Sequence, residues 1–436
     1  MFFDRPNETL SRPELEALQL KRLKSLVTLA YDKIPFYSKK LRDCRFKPDD
    51  FKDLSDLSLL PFTDKDDLRN NYPDGLSAVA KDQIVRYHAS SGTTGKITVV
   101  GYTAKDIETW SALMARCLMA TGVDKSDVVD VAYGYGLFTG GLGAHYGAEL
   151  LGAAVLPCSS GGSHRQIRLM RDLKVTALCC TPTYALYLGE LANEMGLDFR
   201  DKAQLPLKTG VFGAEPWSEE MRLNIEAKLG INAMNIYGLS EVMGPGISIE
   251  CLESKVGLHI FEDHFLPEII DPQSGQVLGP GREGELVLTT LTKQGTPLIR
   301  YRTKDITSFI EAPCPCGRTH RRMTRVMGRS DDMVIIRGIN VYPSQIESLI
   351  LEIPALSPNY KILLDRKDNL DTLEIQIEPE ASASPGLNEK AIMTKLSRSI
   401  KDYLGVGAQV TLLAPKTLTR GQGKTQRVFD LRQGKL

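Results

Sequence analysis

From about residue 128 to 240, short apolar runs alternate with segments whose apolar positions recur at helical spacing. The runs are VVDVAY (128–133), AAVLP (153–157), VTALCC (175–180), KTGVFG (208–213) and INAMNIYG (231–238). Between them, SHRQIRLMRDLK and EEMRLNIEAKLG read as amphipathic helices. Such alternation predicts a largely parallel sheet covered on both faces. Ligands of such sheets bind beyond the carboxyl ends of the strands. Those ends read AYGYG, FGAEP and IYGLSE, rich in glycine and polar groups.

On either side the pattern changes. Residues 1–80 are charged and helical in pattern, with little strand signal. After residue 260, FLPEIIDPQSGQ, GELVLTTLT and PLIRYRTKDI predict a small antiparallel or barrel-like subdomain. Beyond GRSDD come MVIIRGINV, a helix after Pro343, strands near 359–365 and 372–379, a helix near 387–403, and QVTLLAP. That is close to a β-α-β-β-α-β order. The expected fold is therefore α/β: a large N-terminal domain (1–328) with mostly parallel sheets and a small β subdomain, then a small α+β C-terminal domain (329–436). A chain of 436 residues has room for two or three domains.

Composition narrows the function classes. Lys plus Arg equals Asp plus Glu, 54 each, so no global field recruits nucleic acid or an anionic membrane. The last 21 residues are an exception, with six basic residues and one acidic; most such tails are solvated ends. The start carries no basic-then-apolar signal, no apolar run reaches membrane-spanning length, and eight cysteines lie scattered without a framework. The expected setting is the reducing cytoplasm.

The run ASSGTTGKITVVGYT (89–103) packs Ser90, Ser91, Gly92, Thr93, Thr94, Gly95 and Lys96 together. Hydroxyls and backbone N–H groups can cradle phosphate, with Lys96 as counter-charge. The same residues also suit a solvent-exposed turn between strands. Two residues separate Gly92 from Gly95 and Ile97 follows Lys96, which excludes a Walker loop. No glycine trio has the gaps of the dinucleotide fingerprint. The run alone leaves phosphate cradle and plain turn open.

A wider set of motifs bears on the choice. SSGTTGK, FGAEP, IYGLSE, GELVLTTLT…PLIRYRTKD, GRSDDMVIIRGINVYPSQIE and GQGKTQR occur in that order. Together they resemble the adenylate-forming superfamily of acyl-CoA ligases over nearly the whole chain. EDHFLPEIIDPQSG, CPCGRTHRRM and YGYGLFTGGLG resemble its phenylacetate branch rather than the long-chain fatty acyl ligases. Ile97 stands where that branch commonly has Pro, after the donors.

The resemblance implies an ATP-dependent ligation of phenylacetate or a related aryl acid to CoA through an acyl-adenylate, releasing AMP and pyrophosphate. Small molecules are then the partners, and a homodimer is implied. By the same resemblance, Ser90 to Lys96 hold the β- and γ-phosphates. Gly213, Ala214, Glu215 and Pro216 flank adenine. Asn235, Ile236, Tyr237 and Gly238 lie along the nucleotide, with Tyr237 near the base. Ser240 and Glu241 contact phosphate and Mg²⁺, which takes one or two carboxylates plus substrate phosphates. Asp305 binds the ribose hydroxyls, Arg329 reaches ribose or phosphate, and Asp331 is the hinge of a mobile C-terminal domain. Gly338 falls at CoA. Lys424 is the catalytic lysine, its ammonium stabilising charge as pyrophosphate leaves.

Each assignment has an ordinary competitor: a helix N-terminal charge for Glu241, a salt bridge to Arg300 or Arg302 for Asp305, a solvated surface lysine for Lys424. For the acid, Tyr133, Tyr135 and Phe138 offer aromatic walls beside Gly140, Gly141 and Ala214, a slot suited to an aryl ring; core packing is the other reading, above all for Tyr133. Cys251, His259, Cys314 and Cys316 supply the ligand types that zinc prefers, with His320 as rival nitrogen ligand, and four protein ligands make a structural site. A superfamily member with another acceptor, a deazaflavin or a carrier-protein thiol, is the alternative function.

Overall fold

The computed structural model describes residues 1–90, 97–159, 161–331, 334–337, 339–367, 370–380, 388–418 and 427–432. The chain divides into two compact units. The first comprises Met1–Cys180, Asp201–Ala214 and Ile231–Arg325; the second comprises Thr181–Arg200, Glu215–Gly230 and Val326–Leu436.

The first unit opens with helices Arg12–Lys33 and Pro35–Asp43, as the charged helical pattern predicts. A two-stranded antiparallel ribbon follows, β1 (Ile84–Ser90) and β2 (Thr98–Thr103). The main sheet takes β3 (Val128–Val131), β4 (Ala154–Leu156), β5 (Ala177–Cys180), β6 (Thr209–Phe212), β7 (Asn232–Leu239), β8 (Gly244–Cys251) and β9 (Ser254–Ile260). All four residues of β5 and of β6 are buried, as expected of strands covered on both faces. Strands β3 to β7 pair in parallel. From β8 onward the pairing is antiparallel, so the sheet is mixed where the pattern predicted mostly parallel strands. The cause is a hairpin: the turn after β7 reverses the chain at once, without a crossover helix.

A second, antiparallel sheet runs β10 (Phe265–Ile270), β11 (Gly284–Thr290), β12 (Tyr301–Thr307). It is the expected β subdomain, an open sheet and not a barrel. Two-residue strands β13 (Phe309–Ile310) and β14 (Arg322–Met323) then return to the edge of the main sheet beside β9.

The segment between β13 and β14 clasps the chain's beginning. Arg318 Nε donates to Glu8 Oε2 at 2.6 Å, Thr319 Oγ1 to the Leu10 carbonyl at 2.6 Å, and His320 Nε2 to the Asn7 carbonyl at 3.0 Å.

In the second unit, hairpin Val334–Ile336/Ile339–Val341 leads to helix Pro343–Leu351. Strands Leu356–Lys367 and Leu370–Pro379, helix Glu389–Leu404 and strand Ala408–Leu412 follow in the predicted order. A further strand, Val428–Asp430, lies parallel to Leu356–Lys367. Ile346, Ile350, Ile362, Ile375, Leu396 and Ile400 form its core.

Candidate active site

The hairpin between β7 and β8 is built around a register slip. Tyr237 faces Ser248, but Gly238 faces Pro245. A Cβ on Gly238 would lie 1.9 Å from the Gly244 carbonyl oxygen, so only glycine allows the approach. Gly244, at φ +101°, completes the reversal in a conformation that favours glycine. The slip presents Ser240 and Glu241 at the end of the parallel strands, where ligands of such sheets bind.

Glu241 is buried, and three groups converge on its Oε1. Lys65 Nζ lies at 3.1 Å, Ser90 Oγ donates at 2.8 Å and Thr98 Oγ1 at 3.4 Å. Ser90 ends β1 and Thr98 opens β2 as cross-strand partners. Ser91, Gly92, Thr93, Thr94, Gly95 and Lys96 lie outside the described residues. Burial alone would raise the Glu241 carboxyl; Lys65, then Ser90, outweigh it and hold the group below its ordinary value. Ser240 is buried beside it, its hydroxyl 3.1 Å from that of Thr139.

Lys65 is the residue that sequence reasoning missed. It opens helix Lys65–Asn70, capped by Asp64, whose side chain accepts from the N–H groups of Asp66 and Asp67. A cation in a first helical turn opposes the helix dipole. That local disadvantage in TDKDD was the available signal.

On the same strand end, Tyr237 Oη donates to Asp305 Oδ2 at 2.6 Å. The competing ion pairs for Asp305 are taken elsewhere: Arg300 binds Glu268 at 2.9 Å and Arg302 binds Glu285 at 2.6 Å. Gly213 closes β6 in close contact with β7, since a Cβ there would meet the Ile236 carbonyl oxygen at 2.5 Å. Ala214 follows, exposed and at φ +70°. The Asn235 N–H donates to Glu250 Oε2 at 2.7 Å, and Ile236 is buried. Glu215 and Pro216 belong to the second unit, where Glu215 accepts from Thr183 Oγ1 at 2.6 Å. Arg329 and Asp331, also in that unit, pair with each other at 2.8 Å. Gly338 and Lys424 lie outside the described residues.

The loop after β3 carries the residues expected to wall an aryl slot. Tyr133 is core: it is buried and donates to the Val211 carbonyl at 3.3 Å. Tyr135 is half-buried, its hydroxyl 3.2 Å from His145 Nδ1, and Phe138 is 46% exposed. Gly140 and Gly141 begin helix Gly140–Leu151. A Cβ on Gly141 would meet the Gly134 carbonyl oxygen at 2.7 Å, and one on Gly140 the Phe138 ring at 2.8 Å. These glycines let the loop fold back on itself, close to the Gly134 carbonyl and the Phe138 ring.

Away from this site, Cys251, His259, Cys314 and Cys316 place their ligand atoms within 4.8 Å of one another. Cys251 Sγ to Cys314 Sγ is 3.5 Å, and Cys316 Sγ to His259 Nε2 is 3.4 Å. Ligands at zinc's usual bond lengths around a tetrahedron would be about 3.6–3.8 Å apart, so the set fits. His259 Nδ1 donates to the His320 carbonyl at 3.4 Å, which turns Nε2 toward the thiols. His320 faces Asn7 instead and is not a member. The hydrogen bond from Cys251, with His259, draws the Cys316 thiol well below its ordinary value.

A mixed sheet with Glu241, Ser90, Tyr237 and Asp305 gathered at its carboxyl edge, followed by a small α+β unit, is the plan of an adenylate-forming enzyme. The sequence agrees: residues 8–291 match the family model of AMP-binding enzymes, and 338–432 that of the AMP-binding enzyme C-terminal domain. The chain belongs to this family and, within it, to the phenylacetate–coenzyme A ligases. It is 50% identical to the phenylacetate-coenzyme A ligase of Aromatoleum evansii, covering 98% of this chain and 97% of that protein. Identity to the Escherichia coli K12 phenylacetate-coenzyme A ligase is 49%, covering 98% and 97%. The crystal structure of 2-hydroxyisobutyryl-CoA ligase in the postadenylation state, in complex with 2-HIB-AMP, superposes with a TM-score of 0.93. It is 29% identical and covers 99% of this chain and 93% of that one.

Proposed function

We propose that this enzyme joins phenylacetate, or a related aryl acid, to CoA in two steps. The acid's carboxylate attacks the α-phosphorus of ATP and pyrophosphate leaves, giving the acyl-adenylate. The CoA thiol, losing its proton, attacks the acyl carbon and AMP departs. The observation that carries this reading is the Glu241 hub: Lys65 and Ser90 meet a buried, ionised carboxylate one turn from a Tyr237–Asp305 pair. That arrangement offers cation and hydroxyl to phosphate, and a carboxylate acceptor to ribose hydroxyls. Catalysis at phosphorus is mostly positioning and charge stabilisation, which these groups supply. Glu241 is also the carboxylate with which Mg²⁺ would be held, Oε1 being engaged by its neighbours. That ion would neutralise phosphate charge.

Acceptor and acid are tested together by measuring pyrophosphate release over aryl and small aliphatic acids, with and without CoA. Thioester formed only with CoA, and best with phenylacetate, is the expected result. Adenylate turnover to a different acceptor would overturn it. Lys424→Ala should lower pyrophosphate release by orders of magnitude while supplied acyl-adenylate still yields thioester. Equal loss in both half-reactions would defeat the assignment of Lys424 to the adenylation step.

We further propose that Cys251, His259, Cys314 and Cys316 hold a structural zinc, because the spacing and the His259 tautomer fit. About one zinc per chain is expected by elemental analysis, lost in Cys316→Ser together with thermal stability. A metal-free preparation of normal stability would overturn it.

A further inference from the structure

Beneath the turn that carries Ser240 and Glu241 lies a column of buried side chains to which no role has yet been given. Its members come from four places: His88 from β1, Tyr102 from β2, Trp110 from helix Ala104–Ala120, and Lys293 from the loop after β11. Lys293 Nζ lies 4.3 Å from the centre of the Tyr102 ring. Tyr102 stacks on Trp110 at 5.4 Å and 25°, and His88 meets both edge-on at 5.3 and 5.4 Å.

The ammonium, hydroxyl and indole N–H of this column donate to backbone carbonyls at the site, and the imidazole donates through Nδ1 while its buried Nε2 has no hydrogen-bond partner among the described residues. Lys293 Nζ donates to Val242 at 2.7 Å and Glu241 at 3.3 Å. Tyr102 Oη donates to Met243 at 3.1 Å and Ser240 at 3.3 Å. Trp110 Nε1 donates to Pro245 at 2.7 Å. His88 Nδ1 donates to Leu137, in the loop after β3, at 3.0 Å. The Ser240, Glu241, Val242 and Met243 carbonyls lie in the turn between β7 and β8, outside both strands, and the column supplies donors to them.

A fully buried ammonium is an expensive way to hold two carbonyls. Its desolvation costs several kcal/mol, and an apolar replacement in such a place is often neutral or stabilising. The fold nonetheless compensates for Lys293 locally. Asp106, from the same helix as Trp110, accepts from the Gln294 N–H at 2.7 Å and the Gly295 N–H at 2.8 Å, fixing the loop that carries Lys293. Burial pulls Lys293 down to about 8, against the opposing pull of Asp106 and Glu241. Stability alone does not account for this arrangement; placement of the turn does.

We infer that Lys293 is a positioning residue for adenylation, holding the Ser240–Glu241 turn in place and, through Tyr102, Trp110 and His88, in step with the loop after β3. The inference rests on the reading that Glu241 serves the ATP site. Lys293 touches no substrate and acts through the Glu241 backbone.

The test compares Lys293→Met, Lys293→Arg, Trp110→Phe and Glu241→Gln by kcat and KM for ATP and phenylacetate, with thermal unfolding alongside. Misplacement of a catalytic group by about 1 Å can cost a hundredfold. Lys293→Met should therefore lower kcat for pyrophosphate release about 10- to 100-fold, with KM for phenylacetate within about threefold. Lys293→Arg, which keeps charge and donors, should recover most of the loss; Trp110→Phe, which keeps the ring, should lose only several-fold. Should Lys293→Met not fold, the ordering of Lys293→Arg above Trp110→Phe relative to their melting temperatures decides the matter: activity that merely follows stability overturns the inference. Normal kcat in Lys293→Met with an inactive Glu241→Gln overturns it too, leaving the site reading intact. Full activity in Glu241→Gln overturns both.

Discussion

Two carboxylates in the first unit are buried to a similar degree, and they are treated in opposite ways. Glu241 sits beside Lys65 and is held ionised below its ordinary value. Asp130, on β3, accepts from Gln166 Nε2 at 2.7 Å. Burial pushes Asp130 up to about 6, only partly offset by Gln166 and Cys158. Desolvation is the largest influence on both, so the difference lies in whether a cation is within reach. A buried acid with a lysine is kept charged for use; one with only neutral partners gives up part of its charge instead.

Moving the cation should break the contrast most strongly. In Lys65→Met, Glu241 keeps its burial and its hydroxyl partners but loses the ammonium at 3.1 Å. Its carboxyl should then rise, as that of Asp130 does. Pyrophosphate release should fall about 10- to 100-fold at neutral pH, in the range that loss of electrostatic stabilisation commonly costs. The acid limb of the kcat profile should move to higher pH, and Lys65→Arg should largely restore it. An unmoved acid limb would show that Lys65 does not govern Glu241.

Neutralising the other carboxylate should have a smaller effect, and of opposite sign. Because Asp130 is raised in the folded chain, from 3.8 to about 6, its stabilising share is complete below about pH 4 and lost as pH passes about 6. At pH 7.5 the ionised group is a net cost, of no more than about 3 kcal/mol for a shift of this size. Asp130→Asn keeps an acceptor for Gln166 and removes that cost. Thermal unfolding should rise by a few degrees at pH 7.5, and the gain should shrink toward pH 4. A gain independent of pH would place its origin in packing.

The parts of this molecule that could be read from its sequence are those fixed by local pattern. Runs such as VTALCC and KTGVFG announce buried strands because both faces are apolar, and YGLSE and RYRTKD mark strand ends by their polar residues. What resisted reading depends on partners far along the chain. Lys65 acquires its meaning only from Glu241, and Asp305 was left between two neighbouring arginines that in fact take Glu268 and Glu285. His320 stood as a rival to His259 until β9 and β14 paired, setting His259 opposite Arg322 and His320 toward Asn7. Gly141 makes room for the Gly134 carbonyl, and in sequence such a glycine looks like one that makes room for a ligand.

The clasp between the chain's first residues and the segment after β13 also has a consequence during synthesis. Glu8 and Arg318 are 310 positions apart, both buried, and each is the other's counter-ion. At translation speeds of 5–20 residues per second, Glu8 leaves the ribosome roughly 15–60 s before its partner. Throughout that interval the leading residues have no native seat, and the edge strands β9 and β14 are unjoined. Emergence of Arg318, and not of the chain's first residues, sets the moment at which this clasp can form.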